Sequence, residues 1–534
     1  MSSTSSSVAI PGYGWSQPVY QLGKDKTLAI PMSIHESSRN KLITILKSKD
    51  ITSGIILLRG GEESFIYDTD GENLFKQDSW FNYLFGVKEP GFYGAISILT
   101  GKTTLFIPRL SDEYAIWAGE IYPPQYFQKI YGVNEVSYTD KFNEWLNEEI
   151  IIESNILLLE GRNSDSGSHC VPFVFNGIEH YYREGKCDVK SLFHALSSAR
   201  VLKSDYEIEV MRYCAYIASN AHVEVMRLAK PGLYEYELEA KFRYEIYSKG
   251  GCRRCAYTSI CACGPNSAVL HYGHAGAPND RKLLDNDMAL LDMGAEYHGY
   301  VSDITCSYPI SGHFTSDQSA IYNGVLAAQR IVFESAKPGF SWPTCHKLAE
   351  LEIIKALVSI GILYNASPIQ LQEFGLGAVF FPHGLGHLIG CDTHDVGGYI
   401  EGTPSRHSNP GLNKLRTARV LEENMVLTNE PGCYFIDALL DNAIKDPNKS
   451  QYINTNVLER FRGFGGVRIE DVFVVTATGV DNLTTCPRLI EEVESVKAGG
   501  PWPPAYDNAP YLKRHWTRLN EGGRGMIDVN VEIK

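Results

Sequence analysis

The sequence predicts an α+β protein built from two domains, and three observations support this class. The chain has 534 residues, which is long for one domain, and 44% of them are apolar, enough for two cores. The first third alternates helical patterns with short apolar strands. Further along, a helix pair interrupted by Lys-Pro-Gly occurs twice, each time followed by glycine-rich, strand-like sequence.

The first third, residues 1–190, is expected to form a mixed α/β N-terminal domain. Residues 33–49 have the pattern of an amphipathic helix, and residues 54–59 and 156–160 are typical of buried strands. Residues 93–108 predict a hairpin that turns at Thr100-Gly101-Lys102. This part of the chain has no dense cluster of His, Asp or Glu at ligand spacing.

The second domain is expected over residues 191–495, and its helices have sequence signals for their beginnings. Ser204 with Glu207 predicts a capping box at the start of one long helix, and Thr315 with Gln318 predicts the same about a hundred residues later. Both helices are expected to end at a Lys-Pro-Gly. The repetition indicates a domain of two similar α+β halves. The remaining residues, 496–534, lack periodicity and form an extension of unknown order.

Composition excludes several classes of partner. The formal net charge is −14 and no Lys/Arg-rich run occurs, which argues against nucleic acid and against an anionic membrane. Residues 1–7 lack the features of a signal peptide, and no apolar run is long enough to span a bilayer. Twelve cysteines in so long a chain do not indicate a disulfide framework. We therefore expect a cytoplasmic protein.

Four of these cysteines lie close together in the sequence, at positions 252, 255, 261 and 263. A zinc site is one interpretation, and reduced structural thiols are the other. The second is favoured because Cys261 and Cys263 are only two apart and the intervening residues 257–260 are expected to form a strand.

Two acidic residues interrupt apolar strand patterns. Asp292 lies within residues 289–294 and Asp303 within residues 301–305, separated by a short turn. Paired as a hairpin, the strands would bring the two carboxylates together, where they repel unless a cation lies between them. A metal site and a solvated strand edge are equally compatible with the hairpin alone.

Three further segments favour the metal site. His383 and His387 lie in a glycine-rich turn that is unsuited to a helix, so that both need not be ligands. Glu430 ends an apolar strand directly before Pro-Gly, and Glu470 shares a strand face with Arg468. Four carboxylates with one imidazole suit Mn²⁺, Co²⁺ or a similar divalent ion, and their negative charge favours two ions.

These segments resemble the pita-bread metallopeptidase family over roughly residues 15–490. The resemblance is carried by Leu270-His271-Tyr272-Gly273-His274-Ala275-Gly276, Leu291-Asp292-Met293-Gly294 with Asp303, His383-Gly384-Leu385-Gly386-His387, His394-Asp395-Val396-Gly397-Gly398-Tyr399, Leu415-Arg416-Thr417-Ala418-Arg419, Asn429-Glu430-Pro431-Gly432 and Gly466-Val467-Arg468-Ile469-Glu470. It implies a creatinase-like, aminopeptidase P-type N-terminal domain followed by a pseudo-twofold pita-bread catalytic domain. Two departures are Asn429, where an apolar residue is commoner, and the C-terminal extension.

The resemblance also implies a dinuclear centre of Mn²⁺ and assigns its residues. The expected metal ligands are Asp292, Asp303, His387, Glu430 and Glu470, with Asp303 and Glu470 bridging the two ions. Glu430 is in addition the expected proton shuttle for a hydroxide between the ions. His271 and His394 are the expected substrate histidines that orient the scissile carbonyl.

The implied reaction is hydrolysis of Xaa-Pro dipeptides. Arg416 is expected to bind the free carboxylate of the dipeptide, with Arg419 as the alternative. Further substrate residues implied by the resemblance are Arg468, Tyr257 and Trp117, the last reaching the active site of the other subunit in a homodimer. Two rival functions remain: an aminopeptidase P that acts on longer peptides, and a catalytically dead binding module.

Overall fold

The computed structural model describes residues 18–533 and divides into two compact units. The first contains the described residues up to 22 together with residues 29–206, and the second contains residues 23–28 and the chain from residue 207 onward. The predicted domain limits at 190/191 and 495/496 stay predictions.

The first unit alternates strands and helices along the chain. Its elements are β1 (Val19–Tyr20), β2 (Ile30–Pro31), α1 (Ser33–Lys47), β3 (Ile55–Arg59), α2 (Ser79–Phe85), β4 (Tyr93–Ser97), β5 (Thr103–Ile107), α3 (Tyr114–Trp117), α4 (Pro124–Tyr131), β6 (Glu135–Tyr138), α5 (Phe142–Glu153), β7 (Ile156–Leu158), β8 (Gly161–Arg162), β9 (His169–Cys170), α6 (Ile178–Arg183), β10 (Cys187–Asp188) and α7 (Ser191–Val201).

A six-stranded mixed sheet forms the centre of this unit, in the order β10-β7-β3-β4-β5-β6. The predicted hairpin is confirmed, since β4 and β5 pair antiparallel, and the two predicted apolar strands are β3 and β7, which pair parallel. Helix α5 covers one face with Phe142, Leu146 and Ile150, which pack on strand residues such as Ile55 and Leu57. Apolar burial on this face stabilises the unit.

The second unit begins with a long helix and contains all the predicted metal ligands. Its elements are α8 (Asp205–Leu228), α9 (Glu235–Gly250), β11 (Arg254–Cys255), β12 (Ile260–Cys263), β13 (Met288–Asp292), β14 (Ala295–Tyr297), β15 (Tyr300–Val301), β16 (Thr305–Pro309), α10 (Ser316–Ser335), α11 (Trp342–Ser359), α12 (Pro368–Glu373), α13 (Gly377–Phe380), β17 (Val426–Asn429), β18 (Gly432–Tyr434), α14 (Asp437–Lys445), α15 (Pro447–Ser450), α16 (Thr455–Leu458), β19 (Gly466–Arg468), β20 (Asp471–Val475), β21 (Val480–Asn482), α17 (Ile490–Lys497), β22 (Tyr506–Asp507), β23 (Thr517–Leu519), β24 (Met526–Asp528) and β25 (Glu532–Ile533).

The repeated Lys-Pro-Gly marks equivalent points in the two halves of this unit. Gly232 follows α8 and Gly339 follows α10, and both have positive φ, +97° and +86°. Each amide also donates to a strand-like segment, that of Gly232 to the carbonyl of Leu283 and that of Gly339 to the carbonyl of Leu421. The predicted capping box of Thr315 and Gln318 is present at the start of α10. The expectation of two similar α+β halves agrees with this layout.

Two predicted strands differ from the observed ones. Asp303 is not in the middle of a strand, because β15 ends at Val301 and β16 begins at Thr305. The chain changes partners at this break: β15 pairs with β14, whereas β16 pairs with β13. The predicted strand over residues 257–260 is also wrong, since β12 begins only at Ile260 and Tyr257 lies in the preceding turn.

Two properties of the described chain bear on its surroundings. No helix within residues 18–533 is long and apolar enough to cross a membrane. All twelve cysteines are free thiols, and nine of them are buried in the second unit: Cys214, Cys252, Cys261, Cys263, Cys306, Cys345, Cys391, Cys433 and Cys486.

Candidate metal centre

The five predicted ligands all lie at ends of strands or in the turns between them. Asp292 is the last residue of β13, and Asp303 occupies the break before β16. Glu430 lies between β17 and β18, and Glu470 lies between β19 and β20. His387 precedes Leu388, which forms a bridge to Leu427 of β17. Strands from both halves of the second unit therefore contribute carboxylates to one place.

The ligand atoms of Asp303, His387 and Glu470 lie within 4.8 Å of one another, and all three side chains are buried. His387 Nε2 is 3.4 Å from Asp303 Oδ2 and 3.5 Å from Glu430 Oε1. Within the described residues this is the only group of three or more such side chains at this spacing. Four of the five predicted ligands thus surround one point.

Asp292 joins the group through the hydroxyl of Tyr257. This hydroxyl lies 2.6 Å from Asp292 Oδ1 and 2.5 Å from Asp303 Oδ1, so it can donate to either carboxylate. The predicted substrate residue Tyr257 therefore lies directly against the carboxylates. Burial, followed by the nearby negative charges, raises the pKa of Tyr257 well above its usual range.

Arg468 is a buried cation beside the carboxylates. Its guanidinium donates to Asp292 Oδ2 at 2.5 Å, to the hydroxyl of Tyr434 at 2.9 Å and to Thr305 Oγ1 at 3.1 Å. Thr305 in turn donates to Glu470 Oε2 at 2.7 Å. These contacts fix the orientation of the Asp292 and Glu470 carboxylates. The contact of Arg468 with substrate, implied by the resemblance, stays a prediction.

The glycine-rich turn before His387 is required by a close approach of the chain. A Cβ on Gly386 would collide with the carbonyl of Thr428 in β17. With glycine there, the His387 amide donates to Thr428 Oγ1 at 3.1 Å, and the imidazole Nδ1 lies 3.0 Å from the carbonyl of Leu388. Donation from Nδ1 leaves the Nε2 lone pair directed at Asp303 and Glu430, which is the tautomer a metal ligand needs.

The crowding of buried charges shifts the proton affinity of these groups. Burial, together with the charge of Asp303, raises the pKa of Glu430 to about 7 and that of Glu470 well above its usual range. Burial also raises the pKa of Asp292. For Asp303, burial is outweighed by the hydrogen bond and charge of His387, so its pKa is lowered. For His387, burial is outweighed by the two carboxylates, so its pKa is raised.

This donor set fits divalent cations. Several buried carboxylates that face one another retain protons unless positive charge is supplied, and Arg468 supplies only part of it. Oxygen donors with one imidazole are the set preferred by hard to borderline divalent ions. The hydrogen bond at His387 Nδ1 and the donors to the carboxylates hold these ligands in a fixed orientation, as metal sites require.

The two predicted substrate histidines lie next to this group. The ring centroid of His394 is 4.5 Å from that of His387, with the rings perpendicular. Burial lowers the pKa of His394 to about 2, and the positive charges of His387 and Arg416 contribute. The pKa of His271 is likewise lowered, first by burial and then by the charges of Arg468 and Arg416. Both imidazoles are therefore neutral at physiological pH.

The two candidate arginines have different surroundings. The charge of Arg416 contributes to the lowered pKa of both His271 and His394, so Arg416 lies in their vicinity. Arg419 instead donates from Nε to the carbonyl of Gly397 at 2.8 Å and lies 3.5 Å from Glu422. Trp117 belongs to the first unit, in α3, where its side chain is 82% exposed.

With this geometry established, similarity to known proteins decides the family. The profile of Metallopeptidase family M24 matches residues 209–477, and that of the Aminopeptidase P, N-terminal domain, matches residues 35–157. The chain belongs to metallopeptidase family M24. Membership makes the protein a metal-dependent peptidase and identifies the α+β second unit as the M24 pita-bread domain, as the resemblance implied. It also implies divalent metal ions at the buried cluster.

Three similar proteins cover nearly the whole chain. Xaa-Pro dipeptidase of Homo sapiens is 48% identical over 484 residues, 90% of this chain and 96% of the relative. A probable Xaa-Pro aminopeptidase of Phaeosphaeria nodorum is 36% identical over 84% of this chain and 92% of the relative. The structure of Pseudomonas aeruginosa aminopeptidase PepP superposes with a TM-score of 0.72 at 31% identity, covering 88% of this chain and 98% of that one.

Residues that the sequence did not single out complete this M24 site. Thr305 and Thr428 donate to Glu470 and Glu430, and Tyr434 lies between Arg468 and His383, its hydroxyl 2.8 Å from His383 Nε2. A signal was present for Thr305, which lies two residues after Asp303. Tyr434 had no such signal, because only the pairing of β18 with β19 brings it to the site.

Proposed function

We propose that the protein hydrolyses Xaa-Pro dipeptides and releases free proline, using two divalent metal ions. The observation that carries this proposal is the 48% sequence identity between this chain and a human Xaa-Pro dipeptidase over 90% of its length. The buried cluster of carboxylates and one imidazole supports it independently, because it supplies donors for the metal chemistry such an enzyme needs.

The residues that would hold the ions are Asp292, Asp303, His387, Glu430 and Glu470, and Asp303 and Glu470 would be common to both ions. His387 and Glu430 would serve one ion only, and Asp292 the other. Their proximity supports this assignment: Asp303, His387 and Glu470 are within ligand reach of one point, and Asp292 is joined to Asp303 through Tyr257. Mn²⁺ is the proposed ion, because oxygen donors with a single imidazole favour it over softer ions.

Each residue then has a distinct task in amide hydrolysis. Bound divalent ions supply a nucleophile from water at neutral pH and polarise the scissile carbonyl. Glu430 moves the proton from the water to the leaving nitrogen, a role that its position beside His387 supports. His394 and His271, which are neutral, donate hydrogen bonds to the carbonyl oxygen as negative charge develops on it.

The preference for dipeptides is assigned to Arg416. The proline of a dipeptide ends in a free carboxylate one residue past the scissile bond, and a guanidinium binds such a group with two hydrogen bonds. Arg416 lies near enough to both substrate histidines to lower the pKa of each, which supports this assignment. The alternative, Arg419, donates to the carbonyl of Gly397 and lies 3.5 Å from Glu422. Tyr257 and Arg468 hold the carboxylates beside this pocket.

The rival function is that of an aminopeptidase P on longer Xaa-Pro peptides. It is kept as a candidate because solved aminopeptidase P structures share the fold of this chain. A longer peptide continues past proline, so it offers no carboxylate at that point for Arg416 to bind.

A homodimer and a cytoplasmic location are also part of the proposal. The exposed indole of Trp117 and its neighbour Ile116, 75% exposed, support a contact with a second copy of the chain. The twelve free cysteines are in keeping with a reducing compartment.

The deciding experiment measures free proline released by the purified protein from Gly-Pro and from a longer Xaa-Pro peptide. Each substrate is tested with Mn²⁺ supplied, and again after chelation. We expect rapid, chelator-sensitive cleavage of Gly-Pro, with the longer peptide spared.

Two other outcomes have definite meanings. Preferential cleavage of the longer peptide would replace the proposal with aminopeptidase P activity. No cleavage of either peptide with Mn²⁺, Co²⁺ or Zn²⁺ would refute both enzymes and favour a binding module.

A further inference from the structure

The chain beyond the M24 match packs against the back of the metal centre. Residues 507–516, here called the C-terminal segment, continue past β21 and run beside it. The amide of Asn482 donates to the carbonyl of Lys513 at 2.9 Å, and the amide of His515 donates to the carbonyl of Asn482 at 2.9 Å. The segment therefore extends the sheet of β17, β20 and β21, and β20 directly follows Glu470.

Arg514 is the buried centre of this segment. Its side chain has 0% exposure. Its guanidinium donates to both carboxylate oxygens of Glu492, at 2.8 Å and 2.7 Å, and to Asp507 Oδ1 at 2.5 Å. Without it, two buried carboxylates would lose their cation, which is a costly change in a protein interior.

Glu492 connects Arg514 to the loop that carries a second buried arginine. Glu492 Oε2 accepts from the amide of Arg488 at 2.9 Å and from that of Leu489 at 3.2 Å. The position of the Arg488 backbone is thus set by a carboxylate that Arg514 holds. A pair of hydrogen bonds to a charged group is stronger and more directional than neutral contacts.

The guanidinium of Arg488 reaches the ligand itself. It donates to the carbonyl of Glu470 at 2.7 Å, to the carbonyl of Thr305 at 2.9 Å and to Asp471 Oδ1 at 3.1 Å. The amide of Glu470 also donates to the carbonyl of Thr305, and Thr305 Oγ1 donates to Glu470 Oε2. Arg488 therefore joins the two chain segments that present Asp303 and Glu470.

A second connection reaches the same place independently of Arg514. The side-chain amide of Asn482 donates to the carbonyl of Leu512 in the C-terminal segment at 3.0 Å. The same nitrogen donates to Asp471 Oδ2 at 2.8 Å, and Asp471 follows Glu470 directly. The first connection ends on the backbone carbonyl of the proposed bridging ligand, and the second ends on the side chain of the residue that follows it.

We propose that the C-terminal segment is a positioning element of the metal centre, in which Arg514, acting through Glu492 and Arg488, fixes the backbone of Glu470 and so sets the affinity for divalent ions. The inference rests on the proposed dinuclear site and adds to it a segment outside the M24 match. Residues that orient a metal ligand from behind typically change metal affinity about 10–100-fold when they are altered.

The test is a titration of the metal-stripped, full-length protein with Mn²⁺ by calorimetry. Arg514→Met should raise the dissociation constant for Mn²⁺ by about 10–100-fold, with a smaller rise for Glu492→Gln, which keeps the shape of the side chain. Turnover at saturating Mn²⁺ should stay within about threefold of the unaltered protein, because no group that touches substrate is changed.

Arg518→Met is the matched control, since Arg518 is an exposed arginine four residues further along the chain. Its dissociation constant should stay within about twofold of the original. Arg514→Lys restores a cation without the paired donors and should fall between the unaltered protein and Arg514→Met.

The outcomes separate the two proposals. Unchanged Mn²⁺ affinity in Glu492→Gln and in folded Arg514→Met or Arg514→Lys, even with a lowered melting temperature, would overturn the positioning role and leave the metal centre in place. Failure of the unaltered protein to bind Mn²⁺ would overturn the metal centre and the positioning role together. If Arg514→Met does not fold, Arg514→Lys and Glu492→Gln decide the matter.

Discussion

Three of the four carboxylates at the metal centre have a hydrogen-bond donor of their own. Asp292 is held by Arg468, Glu470 by Thr305 and Glu430 by Thr428. A carboxylate with one oxygen held by the protein keeps its second oxygen directed at the cation, which reduces the entropy lost when the ion binds.

The specificity of the site is predicted to depend on one guanidinium. Arg416→Met should lower kcat/KM for Gly-Pro by about 100-fold, in line with about 2–3 kcal/mol for a charge-assisted, paired contact. Any slow cleavage of a longer Xaa-Pro peptide should change far less, because that substrate has no carboxylate at this point. The measurement is steady-state kinetics on both substrates.

Arg419→Met is the matched control, because it removes the same group three residues away. Arg419 Nε donates to the carbonyl of Gly397, so a modest loss that is equal for both substrates is expected. A larger, dipeptide-selective loss in Arg419→Met than in Arg416→Met would assign the substrate carboxylate to Arg419.

The chemistry of the candidate site could be predicted from sequence because acidic residues are rare in apolar strands. Asp292 and Glu470 were noticeable for that reason, and a cation was the physical remedy. Thr428 and Tyr434 could not be recognised in the same way. A threonine or tyrosine in a strand has an ordinary structural role, and only the pairing of β17 with β20 and of β18 with β19 gives them a polar one.

At the scale of elements, the loop that carries His271 is organised by the first residue of α9. Glu235 is fully buried, and its carboxylate accepts from the hydroxyl of Tyr272 at 2.7 Å, the amide of Cys263 at 2.8 Å, Asn266 Nδ2 at 3.1 Å and the amide of Arg281 at 3.1 Å. These four donors lie on both sides of His271 in the chain. One side chain therefore closes the loop at both ends.

Glu235→Gln should loosen this loop without altering the metal ligands. A glutamine offers one acceptor oxygen and directs an NH₂ group at donors, so buried donors lose their partner at about 1–3 kcal/mol each. We expect KM for Gly-Pro to rise about tenfold through misplacement of His271, which corresponds to about 1.4 kcal/mol. The Mn²⁺ affinity should be unchanged when it is titrated by calorimetry.

Glu237→Gln is the control at the same helix end, because Glu237 bonds the amide of Tyr234 and not the loop. Its kinetics should match those of the unaltered protein. A fall in Mn²⁺ affinity in Glu235→Gln, with KM unchanged, would show that the loop supports the metal ligands instead of the substrate.

Elements were predictable to the extent that local signals determined them. The capping box of Thr315 and the Lys-Pro-Gly endings act within a few residues, and the helices α8 and α10 follow them. The break at Asp303 was not predictable, because it arises where the chain leaves the sheet of β14 and β15 and joins β13. The local alternation of apolar and polar residues is the same on either side of such a break.

At the scale of the whole molecule, the interior of the second unit contains histidines whose neutral form is favoured. His346 in α11 has 0% exposure, and its ring stacks on Phe381 with centroids 4.9 Å apart. Neither ring nitrogen has a hydrogen-bond partner among the described residues. Burial, with a contribution from Lys347, lowers its pKa to about 3. Burial likewise lowers the pKa of His298 to about 3.

Acid should therefore destabilise the whole protein through these groups. Between pH 6.5 and 3 the unfolded chain protonates His346 and the folded chain does not, so the free energy of unfolding decreases as pH falls through this range. Each pH unit corresponds to at most about 1.4 kcal/mol per histidine. Above pH 6.5 both states are neutral, and this contribution no longer changes with pH.

His346→Phe keeps the stack on Phe381 and removes the titration. Urea unfolding at pH 7 and pH 5 should show a smaller loss of stability on acidification than in the unaltered protein, by about 2 kcal/mol. The contributions of the carboxylates and of any bound metal to the pH dependence of stability cancel in this difference, because both proteins retain these groups. His313→Phe, at a residue whose side chain is 81% exposed, should leave the pH dependence unchanged. Equal acid sensitivity in His346→Phe and the unaltered protein would mean that His346 gains its proton in the folded state near pH 6, so that the interior around α11 admits water.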